Sequence, residues 1–314
     1  MKAYLLKFLF IGAGLFCLWP HVSAAIALFI GLVFTALLTN PFSEYSKKWA
    51  SQLLAFSIIC LGAGMNLSVV MSVGALGIFI TAASIILSLA IAYALARIFK
   101  LTDKIASLIA VGTAICGGSA IAAVSPVLKP RENEIAVALA IVFILNAIAL
   151  VLFPLIGQEL DMSDKLFAFW SALAIHDTSS VVGATMSYSD EALEIGTTLK
   201  LVRALWIIPI VLALSFWLRR GQKNVGKQPL KFPWFILGFV GSVVIVNTLP
   251  ALQPIGESIA EIGKRGLVLA LFLIGASLSI EALKKVGLRP FAYGVSLWSL
   301  ISFIASVAVK ALIT

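Results

Sequence analysis

The most constraining feature of this chain is a succession of apolar runs, each close to membrane-spanning length, that recurs along the whole sequence. A helix that crosses the hydrocarbon core needs about 20 consecutive apolar residues. On that ruler the sequence predicts spans near residues 4–19, 22–38, 49–66, 72–97, 132–157, 190–218, 232–249, 265–281 and 290–312. Composition agrees, with 61% hydrophobic and 12% charged residues, where a soluble domain of this size carries roughly a quarter charged. Short polar joints are all that separate the runs. Residues 1–314 therefore read as a single integral membrane domain of all-α, polytopic class.

The net charge of +9 does not signal nucleic acid, because the basic residues sit in the joints between apolar runs, where the positive-inside rule places them. Cys17, Cys60 and Cys116 are scattered through apolar stretches and offer neither a disulfide framework nor a metal-ligand spacing. No metal or cofactor is expected. Val22-Ser23-Ala24 has the form of a signal-peptide cleavage site. A second apolar run follows at once, however, and a first spanning helix accounts for the same residues.

Two segments, 103–128 and 164–188, are apolar at their ends but small or polar in the middle. The first reads Ala114-Ile115-Cys116-Gly117-Gly118-Ser119-Ala120-Ile121, the second Ala174-Ile175-His176-Asp177-Thr178-Ser179-Ser180-Val181. They align without a gap, and the register continues downstream: Glu134 with Glu194, Leu139 with Leu199, Val142 with Val202, Leu145 with Leu205. This is an internal repeat of a broken segment followed by a spanning helix. A fainter likeness joins Leu61-Gly62-Ala63-Gly64 to Ile274-Gly275-Ala276-Ser277.

Charge decides whether the broken segments cross or turn back. If both are re-entrant hairpins and the N-terminus is cytoplasmic, Lys47/Lys48, Arg97/Lys100/Lys104, Lys129/Arg131, the basic run over 219–231 and Lys284/Lys285/Arg289 are all cytoplasmic. The outer joints then hold Glu159, Asp161, Asp164, Asp190 and Glu191, with Lys165 and Lys264/Arg265 as exceptions. Full crossing would turn Lys129/Arg131 outward and the acidic 159–164 joint inward. The positive-inside rule favours hairpins. The repeat is then inverted, an arrangement that secondary transporters share.

Backbone that leaves helical geometry in the bilayer persists only where it faces protein or a watery cavity. Gly117 and Gly118 let a ligand approach backbone amides, and Ser119, Thr178 or Ser179 are candidate caps for the second half-helices. Half-helix N-termini favour anions. Cys116, Gly117, Gly118, Ser119, Ala120, His176, Asp177, Thr178, Ser179 and Ser180 are therefore candidate substrate-binding residues. The bland alternative is close helix packing through small residues.

Glu194, Thr197, Lys200 and Arg203 recur every third residue on one broad helix face. Lys200 and Arg203 fall near mid-membrane, where each cation costs ~2.5–3.5 kcal/mol; they complete the predicted anion site, with snorkelling to the interface the alternative for either one alone. Ala140 and Phe143 stand at the same positions of the first repeat, so the cationic face is one-sided. His176 and Asp177 are candidates for coupling to H+ or Na+. Asn146, at mid-span, either reaches the site or, more simply, bonds a neighbouring helix.

At these residues the sequence resembles the YeiH family, a group associated with sulfate export. The resemblance rests on Ala114 to Ala123, on Ile175-His176-Asp177-Thr178 with Val181-Val182-Gly183-Ala184, on Lys200-Leu201-Val202-Arg203 and on Gly275-Ala276-Ser277-Leu278. It implies kinship with bile-acid symporters and cation–proton antiporters, inverted repeats, a homodimer, and motion of a core against a scaffold. The expectation is a secondary transporter of a small anion, sulfate or another sulfur-containing anion, in a bacterial-type inner membrane with lipid as its surroundings. A sodium or proton antiporter using Asp177 is the alternative. An intramembrane enzyme is disfavoured, since no nucleophile motif or metal-ligand spacing accompanies the His-Asp pair.

Overall fold

The computed structural model of the chain describes residues 2–219, 234–278 and 286–313. The basic residues of 220–231 and Lys284/Lys285, used above for topology, lie outside them. The first helices are α1 (Lys2–Cys17), α2 (Ala24–Leu38), α3 (Ser43–Gly62) and α4 (Leu67–Ile98). The first broken segment is α5 (Asp103–Ala114) and α6 (Gly118–Leu128), followed by α7 (Glu132–Glu159). The second is α8 (Asp164–Ala174) and α9 (Thr178–Met186), followed by α10 (Asp190–Leu205) and α11 (Ile207–Arg219). Then come α12 (Trp234–Thr248), α13 (Gln253–Ala276) and α14 (Leu288–Ile313). Within the described residues every predicted span falls on helix, the one over 190–218 on two. Leu67–Ile98, Glu132–Glu159, Asp190–Phe216 and Leu288–Ile313 are long and apolar enough to cross a membrane by length and composition, and the protein is an all-α membrane protein.

Three boundaries depart from the sequence reading, each for a physical reason. Helix α3 starts at Ser43 rather than near 49, because the polar turns Ser43–Lys48 continue the helix beyond its apolar stretch. Helix α13 starts at Gln253 rather than near 265. Its first half carries Glu257, Glu261 and Lys264 and is held by packing: Gly256 lies against the carbonyl of Ala63, and Gly263 against that of Ser57. The span predicted over 190–218 is interrupted at Trp206. Pro209 has no N–H to bond the carbonyl of Leu205, and the Trp206 indole turns aside to donate to Thr81 Oγ1 at 3.0 Å.

Both broken segments turn back. In the first, a Cβ at Gly112 would stand 2.9 Å from Ile121 of the returning helix. At the open end Lys104 Nζ donates to the carbonyl of Lys129 at 2.8 Å. A straight helix would separate these residues by about 14 and about 38 Å respectively at 1.5 Å per residue. In the second, Phe167 stacks on Tyr188 at 3.8 Å, and the Tyr188 hydroxyl donates to the carbonyl of Met162 at 2.5 Å. One helix of 28 residues, α7, separates the two hairpins. They therefore open on opposite faces, and the repeat is inverted.

The face at the base of the first hairpin carries Lys47, Lys48, Arg97, Lys100, Lys104, Lys129 and Arg131; we call it the basic face. The opposite, acidic face carries Glu159, Asp161, Asp164, Asp190 and Glu191. Lys264 belongs to the acidic face and pairs there with Asp190 and Glu261 at 2.8 and 2.9 Å.

The helices form two layers. In one, α13 runs between α2 and α3. A Cβ at Gly31 would collide with the carbonyl of Phe272, and one at Gly275 with that of Leu28. Such close approach maximises dispersion where no hydrophobic effect draws helices together. Phe10, Phe34 and Phe272 give this layer its own apolar cluster. The other layer holds both hairpins with α4, α7, α10 and α14 around the main core. The layers meet where Gly183 of α9 faces Ala24 and Leu271.

Candidate functional site

The hairpin tips meet midway between the faces. Gly117 closes the first tip at φ +66°, a conformation that glycine adopts without steric cost. A Cβ there would lie 2.9 Å from Cβ of Asp177 in the second tip. Asn146, at the middle of α7, accepts through Oδ1 from the backbone amides of His176 (3.0 Å) and Asp177 (3.4 Å). Of the two roles open to it, Asn146 thus takes the one at the site, anchoring the second tip.

Lys200 and Arg203 are fully buried at this crossing, and their partners are backbone carbonyls. Arg203 Nε donates to Ala114 O at 2.9 Å, and its terminal nitrogens reach Thr113 O, Ala172 O and Leu173 O at 3.3, 2.9 and 2.5 Å. Lys200 Nζ donates to Ile175 O at 2.7 Å and Ala172 O at 3.4 Å. These oxygens end α5 and α8, where intrahelical donors run out and the helix dipole is negative. One arginine therefore ties both tips together, and the lysine holds the second.

The N-terminal halves are treated differently. Asp177 is the N-cap of α9, accepting from Ser180 N at 3.1 Å and from the Ser179 hydroxyl at 2.5 Å. The expected capping by Thr178 or Ser179 is thus replaced by their neighbour. Helix α6 starts at Gly118, and its N-cap, Gly117, supplies no side-chain cap. Ser119, a candidate cap, makes no capping bond and is exposed, while Gly118 and Thr178 are partly accessible. Cys116, Ala120, His176, Ser179 and Ser180 are buried. The structure thus brings all the predicted residues to one crossing, with Ser119 at its accessible edge.

Several buried polar atoms here have no protein partner among the described residues: Thr113 Oγ1, Asn146 Nδ2, Ser171 Oγ, Thr197 Oγ1 and both ring nitrogens of His176. Native proteins leave few such groups unsatisfied, so the crossing is built to accept further hydrogen-bonding atoms. Sequence reasoning missed Thr113 and Ser171. Their only signal was isolated polarity within apolar half-helices.

Fold and crossing together define a polytopic helical membrane protein with two opposed intramembrane hairpins. The chain belongs to the family described as Conserved hypothetical protein 698, which it matches over residues 8–294. It is similar to a UPF0324 membrane protein of Bdellovibrio bacteriovorus, 47% identical over 302 residues covering 96% of this chain and 93% of that one. Another of that description, from Geobacter sulfurreducens, is 46% identical over 294 residues, 94% and 93% of the two chains. A third, from Vibrio parahaemolyticus, is 45% identical over 290 residues, 92% and 94% of the two chains. No solved structure matches.

Proposed function

We propose that the protein is a secondary transporter that carries a small anion across a bacterial-type inner membrane, with the basic face cytoplasmic. The observation that carries this reading is the uncapped N-terminus of α6, held at mid-membrane beside partly accessible Gly118 and Ser119. Free amides at a helix start bind anions. Lys200 and Arg203 stand behind them, and with Asp177 counted the crossing keeps a formal charge of +1. The unpartnered Thr113 and Asn146 groups supply neutral donors. Asp177 is committed to capping α9, which weighs against its use as a sodium carboxylate.

Opposed hairpins and two layers support alternating access by motion of the hairpin layer against the other; an ion gradient as the driver and a homodimer as the assembly are part of the same proposal. Sulfate and related sulfur oxyanions are the first substrates to try. The test is thermal unfolding in detergent against a panel of anions, for wild type and Ser119→Leu. A ligand at 100 times its Kd adds ~2.7 kcal/mol, so one anion should raise Tm saturably in wild type alone. Stabilisation by sodium and by no anion would overturn the reading.

A further inference from the structure

The helix after each hairpin begins alike and then diverges. In the first repeat, Glu134 of α7 is followed at three-residue steps by Val137, Ala140 and Phe143. In the second, Glu194 of α10 is followed by Thr197, Lys200 and Arg203. The facing half-helix diverges in the same way, with Val111 on α5 where α8 has Ser171. Ser171 and Thr197 are both the eighth residue of parallel helices that start on the acidic face. They lie at equal depth, fully buried, each with an unpartnered hydroxyl. Glu194, one turn nearer the acidic face, is half-buried and accepts from the amide of Asn66. Along α10 the carboxylate, hydroxyl and amine thus follow at a rise of about 4.5 Å per step, each turned about 60° from the last. Lys200 faces α8 through Ala172 and Ile175, and Glu194 is turned to Asn66 at the start of α4. The matching positions of the first repeat, Val111, Val137, Ala140 and Phe143, are apolar.

The two cations differ in what they can release. Arg203 stays charged at any relevant pH. Lys200 has three N–H donors and two carbonyl partners. Loss of one proton leaves two donors for those two carbonyls and creates a lone pair that can take a proton back. Buried hydroxyls without protein partners are the usual lodging of ordered water, and hydroxyls and water relay protons.

We propose that Lys200 is the proton-carrying group of the transport cycle, loaded and unloaded through a hydrated line along Thr197, Ser171 and Glu194 that opens on the acidic face. Lys200 as ammonium passes one proton to a water beside Thr197, and that water passes one on toward Glu194, so the amine alone changes charge. Titratable and charged groups around Lys200 are Arg203 and Glu194 on its own helix, Cys116 of the first tip, and His176 and Asp177 of the second. The proposal rests on the transport reading above and adds the coupling ion and its route.

The test uses vesicles of phosphatidylethanolamine and phosphatidylglycerol containing the full chain and an internal pH dye, with voltage clamped by potassium and valinomycin. An imposed pH gradient is followed with sulfate, sulfite, thiosulfate, phosphate or chloride present. Thermal unfolding with each anion runs in parallel. The expected result is anion-dependent proton movement in wild type that falls roughly 10²-fold in Lys200→Arg, the lower range for loss of a positioned proton-transfer group. Thr197→Val should lose it several-fold yet keep anion stabilisation. Should Lys200→Arg fail to fold, Thr197→Val decides alone. Wild-type proton movement in either folded variant overturns the proposal. Stabilisation by an anion that moves no protons overturns the relay and leaves the anion site standing. Lys200-dependent proton movement with no stabilising anion does the reverse, and the absence of both overturns both.

Discussion

Arg203 is the residue on which the crossing depends most. Its guanidinium serves carbonyls at the ends of both α5 and α8, so Arg203→Met strands acceptors in two hairpins at once. Each buried acceptor left without a donor costs about 1–3 kcal/mol. We expect a loss of several kcal/mol, read as a fall in Tm in detergent, with Lys unable to rescue it because an ammonium cannot match the planar fork. Gly117→Ala should also destabilise, by about 1–3 kcal/mol for strained backbone, since the new Cβ meets Asp177. Both sites were legible in the sequence as residue types out of place in an apolar context. What the pair Lys200/Arg203 touches was not, because the carbonyls they bind are backbone atoms that every sequence possesses. Only the fold decides which carbonyls lack donors.

At the scale of elements, the hairpins were legible through charge: Lys129 and Arg131 belong with Lys104 only if the chain turns back. The structure agrees through the Lys104–Lys129 contact. We expect Lys104→Cys and Lys129→Cys each to react with an impermeant thiol reagent from the same side of a sealed vesicle. Labelling from opposite sides would mean that the segment crosses. The break at Trp206 and the early start of α13 were not legible, for different reasons. Pro209 is tolerated within many membrane helices, so it marks a break only in context. The first half of α13 is helical by packing on α3, which hydropathy does not register.

For the whole molecule, the two layers meet at small residues. A Cβ built on Gly183 lies 3.3 Å from that of Ala24, close to the ~3.5–4.5 Å span of a disulfide. Ala24→Cys with Gly183→Cys should therefore oxidise to a bond that fastens α2 to α9. Uptake into vesicles should stop on oxidation and return on reduction; uptake that survives a complete bond would show that these surfaces do not slide. The layers themselves were not legible. Gly31, Gly256, Gly263 and Gly275 announce tight packing but not with which helix.

Arg203 has one more consequence, which concerns leakage. Because a single side chain grips both tips, neither hairpin can withdraw without dragging the other or giving up its share of the grip. In the transport cycle proposed above, the tips would act as an interlock, like the paired doors of an airlock wired to one bolt. A membrane that stores energy as a standing gradient loses it through any state open to both sides at once. A shared bolt would make that state the costliest one for such a carrier to visit.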